Sequence, residues 1–344
     1  MGGGVVAWHD DRSGFGVALA AVETLQRRTA ERRHRGRPCR TFHYRTVAAA
    51  RATFVVAADL PARLKAGFAG RPGPYDAIVR FSSGQSWAQA DWVPDIRGLT
   101  VRLFGVAGEP LDPDFPGVQD FLAVSGNVRF PRTAREFTGL VGAMGRMATA
   151  PLTIPRAVPP MLAIRLGVDF AGLTARTLRD LCGQGFHGVG TIAFGEVPVR
   201  FAFEPCQPPA TNGHPWRGDG LRRLVDDRLA HESIAWRLTV QAFVDDMTTP
   251  VDDLTVRWDQ RVAPPVEVGW LELHRRDPEE AAAVMAEVET MAFSPWHGIS
   301  AHRPLGTLQE LRRAAYADSA RRRGAERGTC PAHATAAESG GLPP

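Results

Sequence analysis

Eight short runs of β-type sequence, each closed by turn residues, set the strongest limit on what this chain can fold into. They are HYRTVAAARATFVV from His43, AIVRFSSG from Ala77, GLTVRLFG from Gly98, VQDFLAVSG from Val118, HGVGTIAFG from His187, VPVRFAFEP from Val197, ESIAWRLTVQAFV from Glu232 and VEVGWLELHR from Val266. Several alternate apolar with polar residues, so successive side chains fall on opposite faces of a strand. Such a series predicts an antiparallel sandwich or barrel.

Helical sequence surrounds the series. Residues 132–181 interrupt it with helical periodicity and prolines, and DPEEAAAVMAEVETM and residues 305–323 read as helices after the last strand. At the N-terminal end, residues 14–33 form an amphipathic helix whose basic end suits the helix dipole, and the RGRP break ending at Pro38 follows. The predicted class is α+β, an antiparallel eight-stranded β-barrel core with helical insertions and C-terminal helices. Residues 1–37 are read as a helical arm, 38–324 as one domain, and 325–344 as a disordered tail with little to bury.

Composition removes several function classes. Lys+Arg 41 against Asp+Glu 37 leaves +4 over 344 residues, with Lys65 the only lysine and the arginines scattered, so nucleic acid is not an expected partner. No segment has the roughly 18 uninterrupted apolar residues of a membrane span. The start MGGGVVAWHDDRSG lacks a basic stretch followed by an apolar run, and Val6 stands where a myristoylation signal needs Ser or Thr. Cys39, Cys182, Cys206 and Cys330 form no CxxC pair, which excludes a zinc ribbon or a thioredoxin-type motif. A cytoplasmic protein with reduced thiols is expected.

The last helix carries the chemistry. Arg312 and Tyr316 are four residues apart and Arg323 follows seven later, so all three share a helix face. A phenol with pKa about 10 ligates a metal as phenolate at neutral pH only if metal and a nearby cation favour the charged form. Taken alone, this spacing is more often a solvated surface pair.

The whole stretch FSPWHGISAHRPLGTLQELRRAAYADSARRRG resembles the proximal segment of catalase-related haem proteins, most closely that of the short, single-domain catalase-like proteins, the catalase-related peroxidases. The resemblance implies Tyr316 as axial iron ligand, Arg312 as its cation and Arg323 as partner of a haem propionate. PCRTFHYRTV is similar to the family's distal segment, which implies His43 as the catalytic histidine and Arg40, three residues earlier, as a propionate ligand. IVRFSSG and PDIRGLTVRLFG resemble a third family block, implying Arg80 on a propionate and Ser82 as the hydroxyl that orients His43.

One block departs from the family pattern. DFLAVSGNVRFPRTAREF puts Ser125 where the family has a peroxide-holding asparagine, Asn127 at the following proline and Phe130 at a distal phenylalanine. If residues 125–127 are extended, Ser125 and Asn127 point to one side and Asn127 partly substitutes, although Gly126 lies between them. A serine offers one donor on a short stem, so peroxide chemistry is expected to be weak or redirected.

The function implied is a haem-dependent oxidoreductase, with haem b as cofactor, that uses hydrogen peroxide or an organic peroxide as a weak catalase or as a peroxidase on a small organic co-substrate. His43 would be the acid/base, with Ser125 and Asn127 beside it. The alternatives are hydroperoxide rearrangement or oxygen transfer, as in the allene oxide synthases of this fold, and haem binding or sensing without turnover. The chain is shorter than full catalases, which predicts a more accessible haem, and a homo-oligomer is compatible with the family. His297 and His302 flank GISA at a spacing that loosely permits zinc, but no cysteine or acidic neighbour completes a site, and a thiolate from Cys39 or Cys182 lacks its motif.

Overall fold

Strand alternation closes this chain into a barrel. The computed structural model describes residues 15–325 except 31–32, 35–36, 39, 85–89, 92, 94, 132–135, 141–157, 178–179 and 210–218. After a two-stranded ladder of β1 (Arg33–His34) and β2 (Arg37–Pro38) come β3 (Thr46–Val56), β4 (Pro74–Ser83), β5 (Arg97–Phe104) and β6 (Val118–Ser125). The later strands are β7 (Phe186–Gly188), β8 (Thr191–Phe194), β9 (Val197–Pro205), β10 (Ile234–Ala242), β11 (Val266–Leu273) and β12 (Pro304–Leu305). Antiparallel pairing runs β3-β4-β5-β6-β7-β9-β10-β11 and returns to β3, a closed eight-stranded ring. The class is the predicted α+β barrel. The run from His187 divides in two: the short β7 closes the ring, while β8 sits beside it on the same edge of β9 and pairs with β12.

The two faces of the wall bury different things. Inward go Ala48, Ala50, Ala52 and Phe54 of β3, Ala77, Val79 and Phe81 of β4, Leu99, Val101 and Leu103 of β5, and Phe121 and Ala123 of β6. Phe186, Phe203, Trp236 and Leu238 complete this core from the other half of the ring. Burial of this kind is worth roughly 1.5–3 kcal/mol per large apolar side chain. Outward-facing Ala49, Ile78, Phe104 and Val118 meet Val284, Val288 and Met291 on a second cluster.

Helices flank the barrel. α1 (Phe15–Ala30) and α2 (Pro160–Thr177) precede α3 (Gly220–His231), α4 (Pro278–Thr290) and α5 (Thr307–Arg323). α4 begins at Asp277, whose carboxylate accepts from Glu280 N–H, with Pro278 at its first position. α3 was not anticipated; Leu221, Val225 and Leu229, four residues apart, join the main core. The N-terminal helix docks on α5, where Ala18 and Leu311 form a small core and Gln26 Nε2 donates to Ala315 O at 2.7 Å. The tail beyond residue 325, with Cys330, and Cys39 lie outside the described residues. Among the described residues no helix is long and apolar enough to cross a membrane.

Candidate functional site

Residues that the sequence spreads over 280 positions meet on the outer face, where β3, β4 and β5 pass beneath the ends of α4 and α5. Their meeting begins with a bulge. The β3–β4 register shifts between Thr46 and Ala48, so Val47 and Ala48 both face the core and Thr46 turns outward opposite Ser82. A bulge re-aims a side chain in this way. Thr46 Oγ1 then accepts from Arg80 Nε at 2.8 Å, and Arg80 Nη2 donates to His43 O, also at 2.8 Å.

His43 is the single non-glycine residue with positive φ, 52°, among the described residues. That conformation costs about 1–3 kcal/mol and persists only where the surroundings hold it. Here both backbone groups are tied, the N–H to Gly84 O at 3.2 Å and the C=O by Arg80. The strained backbone aims the imidazole at β4, where Nδ1 and Ser82 Oγ share a 3.0 Å hydrogen bond. Gly98 faces Ser82 across the ladder, and a Cβ there would lie 2.5 Å from both His43 Nδ1 and Ser82 Oγ. Only glycine leaves room for the ring. Burial, with Arg80 and Arg312 adding repulsion, lowers the His43 pKa to about 3, so the imidazole is neutral at physiological pH.

Arginines surround this histidine. Arg40 is 9% exposed and donates Nη1 to Glu289 Oε2 at 2.9 Å and Nη2 to Val288 O and Met291 O at 2.9 and 3.2 Å. Arg80, more deeply buried, has its pKa lowered by burial and by the charges of Arg40 and Arg323, against the opposing pull of Glu289 and Tyr316. Arg323 and Tyr316 therefore stand within electrostatic reach of Arg80. Tyr316 is half-buried, with the Arg312 guanidinium 5.5 Å from its ring centroid. Arg312 Nη1 donates to Val189 O at 2.6 Å and Gln309 Oε1 at 2.9 Å, which fixes the guanidinium over the ring. His43, Arg40, Arg80, Ser82, Arg312, Tyr316 and Arg323 are thus brought together.

The third group of expected residues is not. Across the ladder Ser82 pairs with Gly98 and Gly98 with Val124, so Val124 shares the site's face and Ser125 has the opposite parity. Ser125 is fully buried and its hydroxyl accepts from Arg97 N–H at 2.9 Å. The extended run from Ser125 to Asn127 does not form: β6 ends at Ser125, Gly126 has φ 73°, and Asn127 is exposed. Arg129 bonds Asp169 of α2 through N and Nη1 and leads the chain away. Phe130 is half-buried, its N–H donating to Leu254 O at 3.2 Å.

Sequence reading missed Glu289, Thr46 and Val124. A glutamate in a helix's last turn carries no signal, and the other two depend on a bulge and on register. His297 and His302 do not form a pair: His297 Nδ1 lies 2.9 Å from Arg102 Nη2 and 3.3 Å from Asp120, while His302 sits between the rings of Phe68 and Phe194. Among the described residues no cluster of three or more His, Cys, Asp or Glu is placed to hold a metal. Cys182 is buried beside Asp180, and burial raises its thiol pKa well above the usual range.

The closed antiparallel eight-stranded barrel with its helices is the catalase-like α+β fold, and solved structures show the same architecture. Catalase A from Saccharomyces cerevisiae matches with TM-score 0.66 at 19% identity, covering 84% of this chain and 62% of that one. A fungal catalase matches at 0.64 and 19% over 88% and 61%, and a bacterial catalase at 0.64 and 20% over 89% and 60%. This chain spans about three fifths of the length of each. Likeness at such identity is a likeness of fold. No family model and no curated protein matches the sequence.

Proposed function

We propose that this site binds haem, as haem b, and that the chain is a peroxide-using oxidoreductase, a weak catalase or a peroxidase acting on an organic co-substrate. The observation that carries the reading is His43, held in a strained conformation by Arg80 and Ser82 and facing the helix of Tyr316. The residues present fit the group. Arg40 and Arg80 face the carboxylate of Glu289, and Arg323 lies within electrostatic reach of Arg80, a cationic setting that suits the propionates of haem. Tyr316, with Arg312 over its ring, would ligate the iron.

Bound haem would supply the metal that takes up peroxide and exchanges electrons with it. The protein's own part is proton handling. With Nδ1–H donated to Ser82 Oγ, His43 presents a neutral Nε2 that accepts the proton of the nearer peroxide oxygen and returns it to the farther one, which leaves as water. A second peroxide or the organic co-substrate would be the electron donor that completes the cycle. Such positioned proton transfer is worth roughly 10²–10⁴ in rate.

One observation favours a second reading. The wall beside Gly98 is Val124, an apolar side chain 7% exposed, and it offers peroxide no hydrogen bond. A larger organic hydroperoxide would gain from that surface, so rearrangement or oxygen transfer on such a substrate is the alternative.

Titration with haemin tests the reading. Wild type is expected to develop a ferric high-spin tyrosinate spectrum that Tyr316→Phe lacks, and His43→Ala to keep haem but lose oxygen release and dye oxidation. Fatty-acid hydroperoxide turnover without oxygen release would select the second reading. Absence of haem uptake would reject both.

A further inference from the structure

Glu289 has no part in the chemistry above, yet it is the carboxylate on which the arginine cluster closes. It lies in the last turn of α4, where the helix dipole disfavours negative charge. Its partner Arg40 does not depend on it for position, because Val288 O and Met291 O hold the other end of the same guanidinium. The two members of the ion pair differ in exposure: 10% of the Arg40 side chain is accessible but 42% of that of Glu289. Glu289 can therefore swing out and be resolvated, giving up Arg40 and the Thr46 hydroxyl, whereas Arg40 stays anchored on its two carbonyls. Arg40 and Arg80 lower the Glu289 pKa against burial, which raises it, so the carboxylate is ionised at neutral pH.

We propose that Glu289 is the resident counterion of Arg40 and Arg80 in the haem-free chain and yields Arg40 to a haem propionate when the cofactor enters. The inference rests on the haem reading above. It makes Glu289 a positioning residue that stabilises the empty site and competes with the ligand. A carboxylate bonded to a guanidinium is a strong, charge-assisted competitor, and loss of one such bond shifts an equilibrium by about tenfold or more.

The experiment measures haem-free thermal stability and haemin affinity for wild type, Glu289→Gln and Glu289→Asp. For Glu289→Gln the two readouts are expected to move in opposite directions, with a lower melting temperature without haem and a roughly tenfold tighter haemin affinity. Glu289→Asp keeps the charge and should remain near wild type in both, which also covers the case where the glutamine variant does not fold: a tighter-binding aspartate variant of unchanged stability would overturn the proposal. A purely structural glutamate would weaken both readouts or leave affinity unchanged, and either result overturns it. If wild type takes up no haemin, the haem reading fails and this inference fails with it.

Discussion

On the inner side of β4, Ala77, Val79 and Phe81 are sealed among aliphatic and aromatic side chains, while Ile78, Arg80 and Ser82, one position out of step, face the helices. The inner face is homogeneous: almost any residue there is an apolar volume, held by its neighbours and indifferent to direction. Along the outer face the character changes within two residues, from Ile78 under α4 to Arg80 and Ser82 under His43. Packing sets the first face and hydrogen-bond direction the second. The same strand thus contributes stability through one parity and chemistry through the other, and substitutions on the two faces should fail differently.

The largest expected effect lies inside. Trp236 is fully buried, packs on Phe81 and donates Nε1–H to Gln184 O at 2.9 Å. Trp236→Ala should lower stability by about 3–5 kcal/mol in urea unfolding, while the fraction that remains folded keeps the His43–Ser82 hydrogen bond in nitrogen-detected NMR. Loss of that bond in folded protein would show that the faces are not independent.

Gly98→Ala tests the opposite case. The new Cβ must displace His43 or Ser82, which are 2.5 Å from its ideal position, and overpacking of this kind costs about 1–3 kcal/mol. The fold should survive, with a modest drop in urea midpoint, and the Nδ1 hydrogen bond of His43 should vanish. An unchanged imidazole spectrum would mean that the glycine does not set the ring's position.

A smaller effect separates two neutral histidines. His302, fully buried between Phe68 and Phe194, donates Nδ1–H to Ala193 O at 3.4 Å, and burial lowers its pKa to about 4 even though the carbonyls of Ala193 and Ala66 raise it. Between the unfolded value of about 6.5 and that folded value, the unfolded chain holds a proton that the folded chain lacks. Stability contributed by keeping His302 neutral is therefore present above pH 6.5 and lost as pH falls, by at most about 1.4 kcal/mol per pH unit. His302→Asn should flatten the dependence of urea stability on pH between 7 and 5. Equal slopes in variant and wild type would place the proton uptake elsewhere, for instance on His43 or His187, whose pKa values are also lowered by burial.

Much of the barrel was legible because a strand advertises itself locally, by alternation and by the glycines and prolines that end it. The runs from His43, Ala77, Gly98 and Val118 became β3 to β6 with ends displaced by a few residues at most. α3 is obscured in the sequence by the arginines and aspartates that separate Leu221, Val225 and Leu229. Seven of the expected site residues lie near one another. The misplacement of Ser125 has a different origin. In a strand the facing of a residue follows from register, and a single position of offset moves a side chain to the other side of the wall.

The residues by themselves determined the elements: where strands start and stop, that α4 begins at Asp277, and that Arg312, Tyr316 and Arg323 share one helix face. These follow from interactions within a few positions of the chain. Tertiary structure alone decided that Thr46 turns outward at a bulge, that Val124 stands beside Gly98, that His43 adopts a positive φ, and that Glu289 meets Arg40 across 249 residues. Each of those depends on pairing between distant strands and helices, which no local preference encodes.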